Sequence, residues 1–236
     1  MSRASMSFAC LLLLAGAARA GDPVPEGTDT EAAAALDHWK IAEEEGGEAA
    51  LRAGLAKLAA VRHPMTAGKL GFLAGSLRDE SIRAEAAKAL GGMTGYAEAA
   101  KALHGAIKPN IPNRKALAAV FDAIGEVGHS SSVETCERWA RDAVDDRDGE
   151  MAGVVDGAIG ALGAMASRKS LEAVLDIWRK NRTLGDGKRE GLRGRAREAC
   201  RKALRRLTGE KLDSLDEWED WWKKEKSRLG DDLQRK

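Results

Sequence analysis

Asp79-Glu80-Ser81-Ile82-Arg83-Ala84-Glu85-Ala86-Ala87-Lys88-Ala89-Leu90-Gly91 is the stretch that decides the fold. Ile82, Ala86, Ala89 and Leu90, continued by Met93, recur at helical spacing and make one apolar stripe. A one-sided helix of this kind must lie against neighbours. Its ending, Ala86-Ala87-Lys88-Ala89-Leu90-Gly91, recurs as Phe121-Asp122-Ala123-Ile124-Gly125, Ala158-Ile159-Gly160-Ala161-Leu162-Gly163 and Ala203-Leu204-Arg205-Arg206-Leu207-Thr208-Gly209. The closing glycines stand 34, 38 and 46 residues apart. An earlier, weaker copy is Leu55-Ala56-Lys57-Leu58-Ala59-Ala60. Two helices for every ~40 residues is the period of helical-hairpin solenoids.

Composition agrees with that period. The chain has 236 residues, 44% of them hydrophobic, enough for a buried core. Aromatic residues make up only 4%, and six of the ten are Trp. The 43 alanines and 26 glycines therefore leave a core of small side chains. Ala and Leu at this density favour helices, and the β-branched and aromatic runs of a sandwich or barrel are missing. The fold class expected is all-α: a right-handed α-solenoid of about five stacked hairpins plus a C-terminal capping helix.

Apolar periodicity broken by turn residues predicts helices at 30–45, 48–61, 64–77, 80–92, 95–107, 112–127, 131–145, 149–165, 168–182, 187–207 and 215–229. Pro64 suits a first helical turn, where its missing N–H costs nothing, and Pro112 is placed to do the same. Ser131 with Glu134, and Ser214 with Glu217, have capping-box spacing. Leu117, Val120, Phe121 and Ile124 form a second stripe. Val133, Cys136, Ala140 and Val144 form a third, and Leu192, Ala196, Ala199, Cys200, Ala203 and Leu207 the longest.

His63-Pro64, then Leu70, Leu73 and Leu77, then Asp79 to Gly91 resemble one HEAT repeat. In that family a Pro-led first helix is followed by a turn Asp, matched by Asp79. Its second helix carries an Arg, matched by Arg83. The other hairpins match loosely: Asn113 to Gly125 lacks the Asp turn, and Asp142 to Gly163 has a lengthened acidic one. Leu207-Thr208-Gly209 followed by Trp218, Trp221 and Trp222 resembles the ending of many exported bacterial HEAT-repeat proteins. The resemblance spans roughly residues 30–229 and implies a protein-interaction scaffold. Some HEAT-like proteins are lyases that attach bilin chromophores, which is the enzymatic alternative.

Met1 to Ala20 has the order of a secretory signal peptide: Arg3, the apolar run Phe8 to Ala17, then Ala18-Arg19-Ala20. The run is far short of the ~20 residues that cross a bilayer. Cleavage near Ala20 implies a periplasmic or extracellular protein without integral membrane association. It also leaves a flexible leader at 21–29, a solenoid at 30–210 and a capping helix and tail at 211–236. Loss of Arg3 and Arg19 leaves 36 bases against 37 acids, so no global charge draws the chain to nucleic acid or an anionic membrane. Cys10 leaves with the signal. Cys136 and Cys200 could form one disulfide in an exported chain. Each lies on an apolar stripe, however, and the two sit diagonally in the repeat, which favours two buried free thiols.

No catalytic motif emerges. H-E-x-x-H, C-x-x-C, Walker and G-x-G-x-x-G patterns are missing, and the four histidines are too scattered for a metal site. Gly128 to Ser132 begins like a nucleophile elbow, but Ser132 stands where the closing Gly is needed. Asp145 to Glu150 fails as a calcium loop and reads as an inter-helix turn. Asn181-Arg182-Thr183 is a glycosylation sequon. The expectation is no cofactor, no metal and no catalytic residue.

Two features exceed background. Leu215, Trp218, Trp222 and Leu229, with Trp221 beside them, read as a cap over the open end of the stack. From Lys188 to Arg206 there are nine bases and two acids. Helical spacing places Arg197, Arg201 and Arg205 in one row opposite the apolar stripe, either a solvated face or a strip for an anionic polymer. No Trp is interleaved with them, so stacking on single-stranded nucleic acid gains no support. The chain thus reads as an exported, non-enzymatic scaffold for an unidentified protein partner.

Overall fold

The computed structural model describes residues 26–146, 148–182 and 188–235. Eleven helices run through the described residues: α1 (Asp29–Glu45), α2 (Glu48–Ala59), α3 (Pro64–Ser76), α4 (Glu80–Gly91), α5 (Ala97–Asn110), α6 (Arg114–Val127), α7 (Ser131–Val144), α8 (Ala152–Ala164), α9 (Arg168–Lys180), α10 (Lys188–Thr208) and α11 (Leu215–Glu225). The only extended pairing among them is one antiparallel bridge, Leu229 with Arg235. The protein is all-α.

Helix starts follow the local chemistry, with three corrections. Pro64 opens α3, and the His63 ring nitrogen accepts from the Met65 N–H at 3.2 Å. Asp79 caps α4 by accepting from Ser81 and Ile82, and Ser214 with Glu217 closes a capping box on α11. The Ser131–Glu134 box does not form. Ser131 is already the first residue of α7, and its N–H and hydroxyl are both engaged by the His129 ring, at 3.2 and 2.8 Å. Pro112 precedes the Asn113 cap instead of lying in the first turn of α6. The leader does not extend to residue 29 either. Thr28 and Glu31 form a capping box, and the Gly27 N–H donates to the Arg62 carbonyl at 3.0 Å.

Odd and even helices separate into two rows. Each hairpin packs internally: α1 on α2, α3 on α4, α5 on α6, α7 on α8, α9 on α10. Along the even row α4 lies on α6, α6 on α8 and α8 on α10, while α3 lies closely on α5 in the odd row and α11 ends it against α9. The closing glycines set the spacing of the even row. A Cβ at Gly91 would meet Ala123 Cα at 3.2 Å, one at Gly125 would meet Ala164 Cβ at 2.7 Å, and one at Gly163 would meet Ala203 Cα at 2.8 Å. The recurring small residue is therefore where each even helix touches the next. Gly209 acts differently. At a φ of 77° it ends α10 in the left-handed region, which glycine enters at no steric cost.

The core is built mainly from Ala, Leu, Ile and Val, with Trp39, Phe121 and Trp218 fully buried among them. One polar pin crosses it. Asn110, 0% exposed, donates from Nδ2 to the Ala74 carbonyl at 2.7 Å and the Ala106 carbonyl at 2.8 Å. Arg83 donates to its Oδ1 at 3.2 Å, and also to the Leu77 carbonyl. The ends of α3 and α5 are thereby tied to α4. This also explains why α5 runs past the expected 107 and holds Pro109 in its last turn. Cys136 and Cys200 are buried and unpaired.

Candidate partner-binding surfaces

Arg197, Arg201 and Arg205 are four residues apart on α10 and share one line of the helix. They do not stand clear of the protein: all three are half-buried. After Gly209 the chain turns back along α10, and Asp213 meets Arg205 at 2.5 Å and Arg201 at 3.6 Å. Arg201 also pairs with Glu198 on its own helix. Arg197 alone of the three has no acidic partner among the described residues. It faces a recess of about 420 Å³ bounded by Trp178, Arg182, Ser214 and Asp216, in which Arg182 and Asp216 pair at 3.3 Å. Two of the three guanidiniums are thus held in ion pairs and one is an open cation.

The opposite flank of α10 holds a second basic surface that helical spacing did not single out. Arg195, Lys202 and Arg206 border a recess of about 520 Å³ shared with Asp156 and Gly160 of α8. Arg195 is tied to Asp156 at 2.8 Å and Lys202 to Glu198 at 3.7 Å. On the α8 side, Gly160 is an exposed helix-interior glycine with open space above it.

A third recess, about 580 Å³, opens between α7 and α9 and reaches Trp222 of α11. Glu134, Glu137, Glu172 and Asp176 line it together with Lys169 and Arg179. Asp176 is held below the usual carboxylate range, first by its hydrogen bond from Lys180 and then by the charges of Lys180, Arg179 and Arg141. Arg179 bridges Asp176 at 3.2 Å and Glu219 at 2.9 Å, so α11 is clamped to α9 by charge.

The Trp cluster belongs to that clamp. Trp218 is buried, its ring edge-on to Trp221 at 5.7 Å, and Trp221 stacks on Trp222 at 6.2 Å. Arg168 lies over Trp222 at 5.5 Å and donates to the Leu229 and Lys226 carbonyls beyond the end of α11. Helix α11 stops at Glu225, and Leu229 is buried in the turn that follows.

Ser132, Asn181 and Asp146, from the other motifs singled out in the sequence, have structural partners. Buried Ser132 meets the His104 ring at 3.0 Å, and burial, aided by His129 and Arg138, holds His104 below its ordinary range. Asn181 of the sequon is buried and donates to the Ile177 carbonyl at 2.8 Å, ending α9, while Thr183 lies outside the described residues. Asp146 accepts from the Met151 N–H at 3.3 Å and Gly149 takes a φ of 75°, the geometry of a turn; Arg147 lies outside the described residues. Among the described residues no three His, Cys, Asp or Glu side chains converge in a metal-holding group. None of their helices is long and apolar enough to cross a membrane. Residues 1–20, on which the signal-peptide reading rests, lie outside the described residues.

Compared with family models, with curated proteins and with solved structures, the chain has no match.

Proposed function

We propose that this chain is an exported, non-enzymatic scaffold: a right-handed, HEAT-like stack of five hairpins, capped by α11, that presents its helix faces to a protein partner. The observation that carries the reading is the recurrence of one contact. Gly91, Gly125 and Gly163 each receive the following even helix at its alanines. Hairpins joined by a repeated contact stack in one direction and create an extended surface, the usual basis of partner binding in such proteins. Export rests on the order of Met1 to Ala20, and N-terminal sequencing of the protein made in a secreting host tests it, with Gly21 the expected first residue.

Binding of an anionic envelope polymer is the second reading, favoured by Arg197 standing unpaired beside the α9–α11 recess. Both readings are tested by capture from an envelope fraction at rising salt, using wild type and Arg197→Glu. Arg197 is the right position, because reversing Arg201 or Arg205 would break the Asp213 pairs. A protein retained by both chains supports the scaffold. An acidic polymer retained only by wild type, and released as salt screens the guanidinium, supports the second reading. A wild-type column that retains neither refutes both.

A further inference from the structure

Helix α3 reads Pro64-Met65-Thr66-Ala67-Gly68-Lys69-Leu70-Gly71-Phe72-Leu73-Ala74-Gly75-Ser76, and its single charge is Lys69. A helix apolar around its whole circumference calls for cover on more than one side. The fold covers one. Thr66, Ala67, Leu70, Leu73 and Ala74 are buried, whereas Met65 is 46% and Phe72 62% exposed. Met65, Gly68, Phe72 and Gly75 succeed one another at three- and four-residue steps, so they form one outward stripe.

Beside Phe72 lies a groove of about 520 Å³ between α3 and α5. Its floor is where the two helices touch most closely, Gly71 against Ala102. Its walls include Gly68, Gly75 and Gly105, and at Gly68 and Gly105 an added Cβ would meet nothing within 4 Å. Phe72 borders this space and leaves it empty. The rim carries one charge of each sign on α5, Glu98 and Lys101, in loose mutual contact at 3.9 Å. On α3, Lys69 is held over the Phe72 ring at 5.5 Å and by Glu43 at 3.6 Å.

We infer that this face is the interface of a two-fold dimer of the chain, in which Phe72 of each copy enters the glycine-walled groove of the other. A two-fold contact requires one patch to carry both halves of each interaction. Here the exposed ring and the unfilled groove adjoin on the same helix pair. The charges follow the same rule: an antiparallel approach of two α5 helices sets Glu98 of one copy against Lys101 of the other. A rim of equal and opposite charges gives a strongly acidic or basic partner no advantage, while a second copy matches it charge for charge. A buried aromatic anchor in a close-fitting groove is the kind of contact that dominates interface energy.

The test is sedimentation equilibrium of the mature chain over a range of concentrations, with Phe72→Glu and Gly105→Leu compared with wild type. Phe72→Glu removes the ring and places a charge in the groove. Gly105→Leu fills the groove from within, at an exposed helical position where a side chain has room. Wild type is expected to reach dimer mass reversibly, and each variant to dissociate at least tenfold more readily. Gly105→Leu should also melt no lower than wild type, which separates loss of pairing from loss of fold. A wild type that stays monomeric at every concentration overturns the inference, as do variants that dimerise as well as wild type.

Discussion

Replacing Gly163 and Gly160 by Ala, one at a time, tests whether the closing glycines set the even row. The two sit one turn apart on α8 and share the intrinsic gain of Gly→Ala in a helix, about 0.8–1 kcal/mol. Their surroundings differ. Gly160 is exposed and an added methyl meets nothing within 4 Å, so the gain should appear undiminished. At Gly163 the methyl would come to 2.8 Å from both Cα and Cβ of Ala203. The Cα belongs to the α10 backbone and cannot rotate away, so α10 must move off α8. Overpacking of this kind costs typically about 1–3 kcal/mol, and the helical gain offsets only part of it. The net expectation is a loss of about 1–2 kcal/mol for Gly163→Ala and a gain of up to about 1 kcal/mol for Gly160→Ala. At about 2–4 °C per kcal/mol for a chain of this length, the two melting temperatures should move in opposite directions. Thermal and urea unfolding followed by circular dichroism measure both. A Gly163→Ala protein as stable as wild type would refute the close-contact role, and a destabilised Gly160→Ala would refute the matched comparison.

Asn110→Ala should cost about 2–3 kcal/mol in urea unfolding, because it removes the side-chain hydrogen bonds to the Ala74 and Ala106 carbonyls and the one from Arg83, which keeps only its bond to the Leu77 carbonyl. Cys136 and Cys200 should resist a thiol reagent in the folded protein, and burial pushes the Cys136 thiol up to about 12. The denatured, unreduced mature chain, which lacks Cys10, should then titrate two thiols; finding none would mean a disulfide. Stability should decline as pH falls below the ordinary imidazole range near about 6.5, where unfolded His104 takes up a proton that the buried ring resists. At higher pH both states are neutral and this contribution is flat. In His104→Gln the decline between pH 7 and 5 should be smaller, and an unchanged urea midpoint profile would show that other groups set it.

The helices were legible because their causes are local. Pro64, Asp79 and the Ser214–Glu217 box act within one turn, and the repeated Ala-Leu-Gly ending is a statement about one face. Ser131 shows the limit of such signals. Its hydroxyl was free to cap in the sequence, but His129 engages it in the structure. The surroundings of the charge row on α10 were not legible, for a longer-range reason. Spacing along a helix says which arginines align, not what folds back over them, and Asp213 lies in a linker with no periodicity of its own. Asn110 was silent for the same cause, since its partners come from α3, α4 and its own helix.

Glycine carries two opposite functions in these helices, and the distinction bears on which surfaces are used. Gly71, Gly91, Gly125, Gly157 and Gly163 all have a neighbour closer than an added Cβ would tolerate, so packing accounts for them. Gly68, Gly105 and Gly160 have nothing nearby, as does Gly191 at the start of α10. An unfilled helical glycine costs about 1 kcal/mol relative to Ala and returns no internal contact. Gly68 and Gly105 border the α3–α5 groove and Gly160 the α8–α10 recess. If the missing side chains keep these hollows open for another backbone or ring, filling them should stabilise the isolated chain while weakening association. Gly160→Leu therefore belongs in the envelope capture experiment beside Arg197→Glu. A higher melting temperature with reduced capture would place the partner on the even-row face. A higher melting temperature with undiminished capture would place it elsewhere, leaving the α7–α9 recess and its four carboxylates as the next surface to alter.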